Sequence, residues 1–72
     1  MKKVFKVKNL ECAHCAAKMQ KEIEKLDGVN SASVSFLTQK FVLDVADEKY
    51  DEIILSSRKI IKKIEPDCEI VL

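Results

Sequence analysis

The chain has 72 residues, with 13 basic and 12 acidic side chains and a formal charge of +1. That length makes one domain, 1–72, with no room for a second, and the near-cancelled charge argues against a dedicated nucleic-acid or membrane-surface binder. No apolar run approaches the roughly 18 residues of a membrane span. Met1–Lys6 has the charges of a signal peptide without an apolar stretch behind them. A cytoplasmic protein, or a cytoplasmic piece of a larger one, is therefore expected, with no membrane insertion by this segment.

Val4-Phe5-Lys6-Val7-Lys8 alternates with the period of a strand, Phe5 and Val7 facing in. From Cys15 to Leu26, Ala16, Met19, Ile23 and Leu26 recur every three or four residues, a helical stripe. Gly28 is expected to close that helix as a left-handed cap. Ser31 to Phe36 alternates again, with Ala32, Val34 and Phe36 inward, and Phe41, Leu43 and Val45 form a third strand. The intervening Leu37-Thr38-Gln39-Lys40 is a turn without the Gly or Asn of a tight hairpin. Asp47 is expected to cap a second helix, whose buried stripe is Ile53, Ile54, Ser57, Ile60, Ile61 and Ile64. Pro66 stops that helix, and Cys68–Leu72 closes as a strand. Two successive βαβ units with right-handed crossovers predict an α+β, ferredoxin-like βαββαβ sandwich: a four-stranded antiparallel sheet with both helices on one face. That arrangement hosts many functions, so function must come from the site.

Three cysteines, Cys12, Cys15 and Cys68, make a poor disulfide framework. Cys12-Ala13-His14-Cys15 falls where the first strand passes into the first helix. Unpaired N–H groups and the helix dipole favour thiolates there, the form that binds metal or attacks disulfides. Two small buried residues are the alternative, and it suits Cys15, beside Met19 on the apolar stripe, better than Cys12. Cys68 alternates with Ile70 and Leu72, and a core role is expected for it. Lys18, Lys21 and Lys25 interleave with Glu22 and Glu24, the pattern of a solvated helix face, with docking of an acidic partner as the alternative.

The stretch Asn9-Leu10-Glu11-Cys12-Ala13-His14-Cys15-Ala16-Ala17-Lys18 resembles the metal-binding loop of heavy-metal-associated (HMA) domains. The likeness extends over the element order and the Gly28-Val29 after the first helix. It implies a soft-metal carrier, either a small chaperone or an N-terminal domain of a heavy-metal P-type ATPase. By position, Cys12 and Cys15 match the two ligating cysteines, and Leu10 matches the apolar residue under the loop. The loop of Pro66 and Cys68 lies close to the metal loop in that family, which makes both candidate supporting residues. Copper members carry Met-Thr before the first cysteine and Gly-Tyr or Gly-Phe before the last strand. Here Leu10-Glu11 and Glu65-Pro66 stand there instead.

An acidic residue before the first cysteine resembles the zinc, cadmium and lead transporters. Zn(II) and Cd(II) accept mixed sulfur and oxygen ligands and take about four, whereas Cu(I) is satisfied by two thiolates. Glu11 is thus expected as a third ligand, against a solvated loop carboxylate. His14 is expected to tune the thiolates from solvent, with direct ligation as the alternative. The expected function is binding and transfer of Zn2+ or Cd2+, with Pb(II) in the same class. Its setting would be a regulatory or delivery domain of a P-type ATPase, non-enzymatic, monomeric and partnered by the ATPase core or a metal donor or acceptor protein. Cu+ is the alternative cargo, in a chaperone or copper ATPase. From another class comes a thiol–disulfide oxidoreductase using Cys12 and Cys15, with Pro66 beside them. The missing Trp and Pro around the pair and the βαβ second half argue against that. RNA binding would need exposed sheet aromatics and a basic excess that the chain lacks.

Overall fold

The computed structural model describes all 72 residues, Met1–Leu72. Its first strand, β1 (Lys2–Lys8), starts earlier than the Val4–Lys8 alternation indicates. Lys2 and Lys3 pair with Asp44 and Leu43, and the Met1 carbonyl accepts the Val45 N–H at 2.9 Å, so pairing with the third strand carries β1 outward. Val7 is buried and Phe5 half-buried, its ring stacked on Phe41 with centroids 5.9 Å apart. The remaining strands are β2 (Val29–Ser35), β3 (Lys40–Val45) and β4 (Glu69–Val71). All neighbours are antiparallel, in the order β2-β3-β1-β4, so β1 and β3 are central. This is the ferredoxin-like topology. The Val29/Ser31 register shift accommodates Asn30 as an extra residue at the start of β2.

Helix α1 (Ala13–Glu24) buries Ala16, Met19 and Ile23, and α2 (Tyr50–Ile64) buries Ile53, Ile54, Ser57 and Ile61. These meet the inward residues of all four strands in one 15-residue core that includes Leu10 and Cys68. Leu26, Phe36, Ile60 and Ile64 lie at its margin, half-buried.

Two local expectations need correction. Gly28 is not the cap of α1: the helix ends at Glu24, and its tail tightens as Lys25 and Leu26 donate to the Glu22 and Ile23 carbonyls. Gly28 instead makes the turn into β2 at φ +100, its carbonyl accepting the Ala46 N–H at 3.0 Å. Nor does Asp47 cap α2. It opens a 3-10 turn (Asp47–Lys49), and its carboxylate faces the Met1 ammonium at 3.2 Å. Lys49 takes the cap position of α2 without a side-chain bond. In both cases the residue contacts a chain-remote segment that local patterning does not report.

At one end of the sheet three connections meet: the β1–α1 loop, the β2–β3 turn and the α2–β4 loop. Asn9 Nδ2 donates to the Asp67 carbonyl at 3.1 Å, and Gln39 bonds the backbone of Leu10. Any chemistry of Cys12 and Cys15 is performed at this end.

Gly28 combines a positive φ with a close approach: an added Cβ would stand 3.1 Å from Ile53 Cδ1 and from Lys49 Cδ. Gly28→Ala should lower stability by about 1–3 kcal/mol. Urea unfolding should show this as a lower midpoint at unchanged slope, and an unshifted midpoint would contradict it.

Candidate metal centre

The β1–α1 loop runs from Asn9 to Cys12, and its first two residues are fixed. Asn9 sits at φ +60, a conformation Asn tolerates. Leu10 is 2% exposed and anchors the loop in the core, the place expected for it. Its N–H donates to Gln39 Oε1 at 3.2 Å, and its carbonyl accepts from Gln39 Nε2 at 2.6 Å.

Cys12 is the N-cap of α1, with extended backbone at φ −136, ψ 115. Its Sγ accepts the Cys15 N–H at 3.1 Å, filling the role that a Ser, Asp or Asn oxygen plays in most helices. Its carbonyl accepts the Ala16 N–H at 3.0 Å. Cys15 lies in the first turn, and both cysteines are free and half-buried. The Cys15 thiol and the Cys15 N–H both donate to the Cys12 sulfur and hold its thiol below the ordinary range, outweighing desolvation and the Glu65 carboxylate. Cys15 keeps its proton longer, pushed up to about 11 by that same hydrogen bond to Cys12, with desolvation, the Cys12 charge and Glu65 adding. The contact between the two sulfurs thus shifts their thiols in opposite directions.

The other candidates are placed around this pair rather than on it. Glu11 is exposed, in a polar cleft with Glu65, Asp67 and Glu69. His14 is exposed and lines a different cleft, of about 480 Å³, between α1 and α2 with Cys15, Lys18, Glu22 and Lys63. No three His, Cys, Asp or Glu side chains converge as a group that could hold a metal ion. Pro66 is exposed, and its carbonyl accepts Lys62 Nζ at 3.2 Å. Cys68 is 0% exposed in the core, where burial raises its thiol above the ordinary range. Lys25 pairs with Glu22 at 3.6 Å on the exposed face of α1.

Two residues near the pair escape sequence inspection. Glu65, half-buried beyond the last turn of α2, is the carboxylate whose field raises both loop thiols. Gln39 reaches Leu10 from a turn 29 residues away. The Pro66 that follows Glu65 is its only sequence signal; for Gln39 the signal is a turn position lacking Gly or Asn.

The thiol shifts fix an order of reaction. At neutral pH iodoacetamide should modify Cys12 well before Cys15. Cys15 should catch up only as pH approaches its value of about 11, and Cys68 should react only after unfolding. Peptide mass spectrometry across a pH series measures this. Equal rates for Cys12 and Cys15 at neutral pH would contradict it.

Comparison with known proteins extends these observations to the whole chain. The heavy-metal-associated domain model matches residues 4–69. The cadmium, zinc and cobalt-transporting ATPase of Helicobacter pylori is 37% identical over 43 residues, 60% of this chain but 6% of that ATPase. The chain thus spans a small fraction of that relative. The copper chaperone CopZ of Enterococcus hirae is 30% identical over 64 residues, covering 89% of this chain and 86% of the chaperone. A solved CopZ metallochaperone superposes with a TM-score of 0.76 at 20% identity, covering 99% and 100% of the two chains, which speaks to the fold alone. Because the family match runs from the first strand to the last, the chain as a whole belongs to the heavy-metal-associated domain family.

Proposed function

We propose that this domain binds a metal ion between Cys12 and Cys15 and passes it to a protein partner by ligand exchange. Its cargo is Zn(II) or Cd(II), with Pb(II) in the same class, and its setting is a delivery or regulatory domain of a heavy-metal-transporting P-type ATPase. The observation that carries the proposal is the sulfur cap. Cys12 Sγ accepts the Cys15 N–H at the start of α1, so both sulfurs belong to one helix end and one is predisposed to be a thiolate. A metal ion arriving there displaces the Cys15 proton and gains the second thiolate. Two thiolates leave coordination positions for a partner's ligands, which enter before the domain's own depart.

The divalent preference draws support from the surrounding charge. Glu65 acts on both sulfurs, and Glu11 is one residue from Cys12. A carboxylate attracts a doubly charged ion with twice the Coulomb energy it offers Cu(I) at the same distance. The relative from Helicobacter pylori, a cadmium, zinc and cobalt transporter, agrees with that preference. Cu(I) is the second cargo to test. Two sulfurs without a converged third ligand suit its two-coordinate preference, and the CopZ relative covers most of both chains. The thiol–disulfide alternative is weaker: from Lys40 onward the chain runs β3-α2-β4, lacking the hairpin of a thioredoxin-like second half.

Competition titration of the reduced protein with Zn(II), Cd(II), Pb(II) and Cu(I) tests the proposal. Glu11→Ala should weaken the divalent ions about tenfold or more and leave Cu(I) nearly unchanged. Equal weakening of all ions, or of none, would remove Glu11 from the ligand set. Tight Cu(I) binding without divalent binding would reassign the cargo, and failure of every ion would end the carrier proposal.

A further inference from the structure

We propose that Gln39 is a positioning residue for the metal loop, holding the segment that presents Glu11 and Cys12 from the opposite side of the chain. Its amide makes three hydrogen bonds. Oε1 accepts the Leu10 N–H at 3.2 Å, and Nε2 donates to the Leu10 carbonyl at 2.6 Å and to the Phe36 carbonyl at 2.7 Å. The backbone carbonyl of Gln39 also accepts the Val7 N–H at 2.9 Å, extending the β1–β3 ladder to the edge of the loop. One residue thus ties the β2–β3 turn to both polar atoms of Leu10, two positions before Cys12.

The backbone of Gln39 gives an independent reason to read this as a selected feature. Its φ is +55, the left-handed region that Gly occupies without cost and Asn tolerates. Gln has neither advantage. A residue that breaks the local rule at a turn while completing a remote hydrogen-bond set marks strain retained for a purpose. What Gln supplies and Gly and Asn do not is reach: a two-sided amide at the end of two methylenes. On the other flank Asn9 Nδ2 bonds the Asp67 carbonyl at 3.1 Å, so the loop entry is held from both neighbouring connections. Beyond this clamp come the exposed Glu11 and then Cys12, whose sulfur caps the helix. Preorganised ligands lose less freedom when metal binds, and partners behind the ligands commonly govern affinity.

The inference rests on the carrier proposal for its metal consequence but has a metal-independent test. Gln39→Gly keeps the turn conformation and deletes the clamp. Hydrogen exchange of the apo variant should accelerate at the amides of Leu10 and Cys15, the latter reporting the bond to Cys12 Sγ. The amides of Phe41 and Leu43, in the central strand, should keep their wild-type rates. Affinity for Zn(II) and for Cu(I) should fall by about 10- to 100-fold in a variant that unfolds at or near the wild-type midpoint. A role confined to general stability would speed all four amides together and leave affinity unchanged in the folded protein. Either of those two results would overturn the proposal. Should Gln39→Gly not fold, Gln39→Glu keeps the length and one acceptor but sets a carboxylate against the Leu10 and Phe36 carbonyls, and the same outcomes apply. If wild-type protein bound no metal, the carrier proposal would fail, while the exchange pattern would still decide whether Gln39 holds the loop.

Discussion

The start of every α-helix leaves N–H groups without partners, and something at the cap must accept at least one of them. In this domain the acceptor at the start of α1 is the sulfur of Cys12, which takes the Cys15 N–H at 3.1 Å. That single contact joins the fold to the chemistry. It begins the helix whose Ala16, Met19 and Ile23 fill the core, and it brings the two thiols of the loop to one helix end. It also separates them electrostatically, one thiol held below the ordinary range and the other raised to about 11. A thiolate that also ligates a cation can keep accepting this N–H, and its negative charge suits the positive end of the helix.

A chain of this size has little stability to lend to a deep site, since it buries only about 60% of its unfolded surface. The structure accordingly invests in the approach to the cysteines and leaves the cysteines at the surface. Leu10 is sunk in the core, Asn9 is tied to the α2–β4 loop, and the Leu10 backbone is held by the β2–β3 turn. Lys62 reinforces the same end by bridging the Pro66 carbonyl and Glu69. Beyond the clamp, Glu11 and His14 are solvent-exposed and face separate clefts. The entry to the loop is held by hydrogen bonds, and the Glu11 and His14 side chains beyond it are exposed. No third His, Asp or Glu side chain converges with the two cysteines.

Much of this is legible in the amino-acid sequence alone. The three-and-four spacing of Ala16, Met19 and Ile23 and the alternation of Phe41, Leu43 and Val45 are local signals, and they carry both elements. The CxxC at a strand–helix junction marked the candidate site because helix electrostatics are local as well. Features set by chain-remote partners were not legible. Asp47 opens a 3-10 turn and faces the Met1 ammonium rather than capping α2, and Gly28 serves the turn into β2. Gln39 and Glu65 act on the loop across 29 and about fifty residues, and no periodicity reports such distances. Glu11 and His14 fall between these cases, since sequence fixes their nearness to the cysteines but not the direction of their side chains.

The central claim is that a metal ion sits on both loop sulfurs. X-ray absorption at the zinc edge of the Zn(II)-loaded, reduced protein measures this directly. The account predicts a shell of two sulfurs at about 2.3 Å, with the remaining ligands oxygen or nitrogen at about 2.0–2.2 Å. A first shell without sulfur, or with one sulfur only, would contradict it.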